Sequence, residues 1–165
     1  EVSPDGKYLF VVSFGCLHRF RISGANLEYE EMGPRCCDGI WRIAISPDSM
    51  YVSPVCWAGN SKIERYSQSP DRCTYVFRVG DIGMPVLALG SVSFQTTMAF
   101  DKVSGRLYAG THNSTLATFN TDGTKEKEYK LSDNGENVIQ LLPHPAGSGI
   151  VAVAEKHFFW IELPK

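Results

Sequence analysis

Carboxylates, amides and imidazoles gather in a few short stretches of this chain. Asp133-Asn134-Gly135-Glu136-Asn137 places two acids and two amides within five residues, and His112-Asn113 adds an imidazole beside another amide. Oxygen donors of this kind hold hard divalent cations, and imidazole suits the transition metals. The same residue types have a second use, since Asp and Asn side chains hydrogen-bond to the backbone two residues on and so build turns. No HExxH, CxxC, P-loop, GxSxG or GxGxxG accompanies them to fix one chemistry. No metal or cofactor is therefore assigned.

A different stretch, Asp81 to Gly90, carries Met84-Pro85 and Leu87 between glycines. Long loops are functional or disordered, and an apolar one favours contact with another protein surface. The candidate binding residues are thus Asp81, Met84, Leu87, His112, Asn113, Asp133, Asn134, Glu136 and Asn137. His18, His144 and His157 read as structural or solvated. Five cysteines cannot all pair within one chain, so Cys16, Cys36, Cys37, Cys56 and Cys73 are expected as reduced thiols in a reducing, cytoplasmic compartment.

The elements that hold these stretches come from a repeat. Ser3 to Ser13 reads SPDGKYLFVVS, Ser46 to Gly59 SPDSMYVSPVCWAG, Phe100 to His112 FDKVSGRLYAGTH, and His144 to Lys156 HPAGSGIVAVAEK. Each is a polar turn followed by an apolar strand. In the clearest copy Pro sets φ at the first corner, Asp caps the turn, and Gly accepts φ > 0. Aligning Tyr8, Tyr51, Leu107 and Ile150 gives steps of 43, 56 and 43 residues. A second strand is expected after each: Leu17–Phe20, Ile63–Tyr66, Leu116–Phe119 and Phe158–Ile161. Third strands follow over Leu27–Met32, Cys73–Val79 and Lys125–Leu131. Others precede the turns, over Trp41–Ile45, Val92–Phe100 and Val138–Leu142. Alternating apolar and polar positions suit half-buried strands, and no stretch has helical periodicity. Trp41, Trp57 and Trp160 are expected to fill space between neighbouring sheets.

Short antiparallel strands at a period near 43 suit a β-propeller blade. The segment SPDGKYLFVV resembles the turn between the inner two strands in propellers of the YVTN and lactonase-like kind, and more loosely of WD repeats. The WD dipeptide and the Gly-His signature are both absent. The resemblance implies an all-β, β-propeller domain of about four blade repeats of roughly 43 residues, over 1–36, 37–80, 91–133 and 134–165, with an insertion loop at 81–90. The first and last blades come out incomplete, so a larger or oligomeric propeller is expected. Loops entering each innermost strand, and loops between second and third strands, would then share one face carrying the candidate residues.

Composition narrows the functions. With 165 residues, 43% hydrophobic and 21% charged, the chain is long enough for a core of its own. A net charge of −2 with dispersed Lys and Arg argues against nucleic acid, which needs a concentrated basic surface. No apolar run is long enough to cross a bilayer. The expected function is a non-catalytic protein-interaction or scaffold module, whose partner is another protein chain or a second copy that completes the propeller. The lactonase-like resemblance implies an alternative, a metal-dependent small-molecule hydrolase whose channel would need further blades.

Overall fold

The structure, a computed structural model, describes residues 1–36, 40–56, 74–89, 95–101 and 103–163, with Trp41, Cys56 and Gln95 described by backbone alone. Fourteen strands and no helix occur among them. They form four antiparallel sheets that follow one another along the chain. The first comprises β1 (Tyr8–Ser13), β2 (Cys16–Ser23) and β3 (Asn26–Met32). The second runs β4 (Ile40–Ile45), β5 (Tyr51–Cys56), β6 (Thr74–Arg78), β7 (Leu87–Leu89). The third runs β8 (Gln95–Phe100), β9 (Leu107–Thr111), β10 (Thr115–Phe119), β11 (Lys125–Lys130). The fourth holds β12 (Val138–Pro143), β13 (Gly149–Ala154) and β14 (Phe158–Glu162). Beside β1, Glu1 and Val2 add a short fourth edge: the Phe10 N–H donates to the Glu1 carbonyl at 2.8 Å and Val2 bridges Leu9.

The repeated turns close as their residue types require. The Ser3 N–H donates to the Tyr8 carbonyl, Ser46 to Tyr51, Asp101 to Arg106 and His144 to Gly149, all at 2.8–2.9 Å. Asp5 and Asp48 accept from the serine two residues before them and from the backbone N–H two residues after them. Asp101 supplies the cap in the third turn, accepting from the Val103 N–H at 2.9 Å. In the fourth, His144 Nδ1 accepts from the Ala146 N–H at 3.2 Å. Gly6, Ser49, Gly105 and Gly147 take the positive φ values of 72°, 58°, 70° and 67° that the corner demands.

These hydrogen bonds correct the repeat register. Tyr8 and Tyr51 correspond to Arg106 and Gly149, one residue earlier than Leu107 and Ile150, so the true steps are 43, 55 and 43. Alternating apolar residues on both faces of β9 and β13 made either alignment look reasonable. The corner glycine of the fourth turn is Gly147.

A second difference lies in the second sheet. The strand expected as third after the turn, now β6, pairs directly with β5 through Tyr51–Arg78 and Val52–Phe77. Leu87–Leu89, expected in an insertion loop, is instead β7, paired with β6 from Thr74–Leu89 to Val76–Leu87. The expected strand Ile63–Tyr66 lies outside the described residues.

Each sheet packs face to face on the next. Phe10 and Leu17 meet Val52, Tyr75, Phe77 and Ile82 between the first and second sheets. Val55, Val76 and Leu89 meet Met98, Leu107 and Phe119 between the second and third. Tyr108 and Leu116 meet Val138, Leu141, Ile150 and Ala152 between the third and fourth. Arg19 is buried with the first of these cores, its charge answered by Glu30 at 3.0 Å and Glu31 at 3.3 Å, and it donates to the Val79 carbonyl. Burying the guanidinium unpaired would cost several kcal/mol, on the order of 3–5 kcal/mol.

Candidate functional site

A polar cluster forms where the third and fourth sheets meet, at the loop ends. The Ser114 backbone N–H and hydroxyl both donate to the Glu136 carbonyl at 2.9 Å. Ser114 holds φ at 55°, which aims both donors at the 131–137 connection. The Glu136 side chain is buried; one oxygen lies 2.7 Å from His157 Nδ1, and the other accepts from the Lys156 N–H at 3.3 Å. Burial opposes its charge. The His157 imidazole, the Lys156 N–H and the Asn134 side chain outweigh that, so the Glu136 carboxyl sits below its ordinary range. Asn137 Nδ2 donates to Glu155 at 2.5 Å.

The other candidates around this cluster serve turns. The Asn134 N–H donates to Ser132 Oγ and the Asn113 N–H to Thr111 Oγ1, while Asp133 pairs with Lys130 on the surface. His112 is half-buried at the β9–β10 turn. The Ser114–Glu136 hydrogen bonds thus bring the 112–114 turn beside the 131–137 connection. Among the described residues no three His, Cys, Asp or Glu side chains converge as a metal site would need.

Asp81 and Met84 lie elsewhere. They belong to the β6–β7 connection, which leaves its sheet beside the 46–50 turn: the Val79 N–H donates to the Met50 carbonyl at 2.9 Å. Asp81 is a turn former, accepting from the Gly83 N–H at 3.1 Å. The connection is tied to the first sheet by the Ile82 N–H, which donates to Glu31 at 3.1 Å. Met84 is exposed. Leu87 is half-buried and lines, with Met50, Phe100 and Leu107, a groove of about 260 Å³ between the second and third sheets.

A further feature escaped the sequence reading. Arg42, Thr97 and Gln140 pair with Val55, Gly110 and Val153, and each stands just after a β-bulge in the first strand of its sheet. Counted from the turns, the three are equivalent. Together with Val12 they line one cavity of about 600 Å³. Bulges re-aim side chains and increase twist, and here the same device acts three times. Its trace in the sequence is a polar residue, Arg42, Thr97 or Gln140, four positions before the turn residues Ser46, Asp101 and His144.

Of the remaining chemistry-bearing residues, Cys16 carries a free thiol, and the buried Cys36 thiol donates to the Pro34 carbonyl at 3.3 Å. Cys37, Cys73 and Trp57 lie outside the described residues. Trp160, expected in a core, is 54% exposed, because its position on β14 faces away from the third sheet. No helix among the described residues is long and apolar enough to cross a membrane. A scan against protein-family models and a search of curated proteins each return no match.

Proposed function

We propose that the chain is a non-catalytic protein-interaction module of β-propeller type. Supporting the architecture are four antiparallel sheets packed face to face in chain order, with equivalent bulged strands around one cavity. The observation that carries the function is the apolar character of the two sheet faces at the ends of this stack. On the first sheet, Leu9, Val11, Phe20, Leu27 and Tyr29 face away from the second. On the fourth, Leu142, Val151, Phe158 and Trp160 face away from the third. Large contiguous apolar patches on a protein surface mark places where another protein binds. The partner is another protein chain that covers these faces.

Proximity cross-linking of the tagged chain in its native cells tests this. A defined protein should be captured, and Val11→Asp or Trp160→Asp should lower its recovery by about tenfold or more, since a central hydrophobic contact contributes about 1.4 kcal/mol or more. Met84→Asp reports on the β6–β7 connection as a separate contact. Capture that none of the three substitutions changes would contradict the reading.

A further inference from the structure

The two end faces are of opposite kinds, and the register shows it. Leu9, Val52, Leu107 and Ile150 occupy equivalent positions, counted from the turn hydrogen bonds. Each faces the sheet that would precede its own. Val52, Leu107 and Ile150 are buried by that sheet; Leu9 has none and is half-buried. One position on, Phe10, Ser53, Tyr108 and Val151 face the sheet that follows. The first three are fully buried, while Val151 is half-exposed. Val11 repeats the pattern at 40% exposure, where its equivalents Pro54, Ala109 and Ala152 are buried.

Every internal interface therefore joins a following face to a preceding face. Among the described residues one face of each kind has no sheet packed on it: a preceding face on the first sheet and a following face on the fourth. We propose that a second copy of this chain fills both, head to tail, with the fourth sheet of each copy packed on the first sheet of the other. This rests on the interaction-module reading and names its partner. A second copy fits because it presents the complement of each open face in the geometry the chain already uses three times. A head-to-tail contact closes into a ring or runs on as a filament, depending on its rotation. Two copies of the four described sheets come to eight, within the roughly 4–8 that propellers close with, which favours the closed pair.

Sedimentation of the purified chain, with two variants, tests the proposal. The wild-type chain should show twice its 18.3 kDa mass and no larger species. Val11→Asp and Trp160→Asp should each weaken self-association by about 30-fold or more. An equal mixture of the two variants keeps one intact junction, the fourth sheet of the Val11 variant on the first sheet of the Trp160 variant. The mixture should therefore recover pairs that neither variant forms alone, which also shows that both are folded. A Trp160 variant that pairs like wild type would overturn the head-to-tail arrangement in favour of first sheets meeting each other. A monomeric wild-type chain overturns it too: if Val11 and Trp160 then still govern capture of a different protein, the interaction-module reading stands without it, and if they do not, both fall.

Discussion

At the scale of single residues, the polar side chains that attracted attention first are mostly engaged in shaping loops. Asp5, Asp48, Asp81 and Asp101 all accept backbone N–H groups two residues on. Glu136 differs, because it is buried and ties the 131–137 connection to the β13–β14 turn through His157 and Lys156. Its carboxyl is held below the ordinary value of 4.5, so the folded state favours the charged form. The stability this adds is fully present above the unfolded pKa and is lost as pH falls through the folded one. Thermal melting across pH should therefore show wild type melting above Glu136→Gln near neutrality. The gap should narrow below about pH 4.5. A gap unchanged down to about pH 3 would contradict this role. The turn use of Asp was legible in the sequence because its causes are local. The burial of Glu136 was not, since it depends on a hairpin about twenty residues away.

At the scale of elements, most strands were legible because period-2 alternation and turn residues act over a few positions. Leu87–Leu89 was the exception. Three residues flanked by Pro85 and Gly90 carry too short a pattern to separate strand from loop, and pairing with β6 decides the matter. The register was off by one in the third and fourth repeats for a related reason. With apolar residues on both faces of β9, the hairpin hydrogen bonds, not the pattern, set the alignment. One residue shows how tightly the sheets then pack. A Cβ on Gly110 would lie 2.7 Å from Val138 Cγ1 and 2.9 Å from Thr97 Cγ2. Gly110→Ala should therefore destabilise the chain by roughly 1–3 kcal/mol through forced repacking. Chemical denaturation measures this directly, and a change within about 0.5 kcal/mol would contradict close packing of the third sheet on the fourth.

At the scale of the whole molecule, the sequence carried the repeat but not which faces of the repeats stay open. Trp160 illustrates why. Its type says core, and its strand is one whose equivalents pack between sheets, yet it lies on the side of β14 that faces away from every described sheet. Only the stacking order distinguishes its position from that of Thr118, the equivalent on β10, which is buried. Hydroxyl-radical footprinting read by mass spectrometry probes that order. Applied to the folded Val11→Asp variant, which exposes both ends, it should label Tyr29, Phe158 and Trp160 heavily, and leave Phe10, Tyr75, Phe77 and Tyr108 protected. Labelling of Tyr75 or Tyr108 at the rate of Tyr29 in the folded chain would contradict the stack.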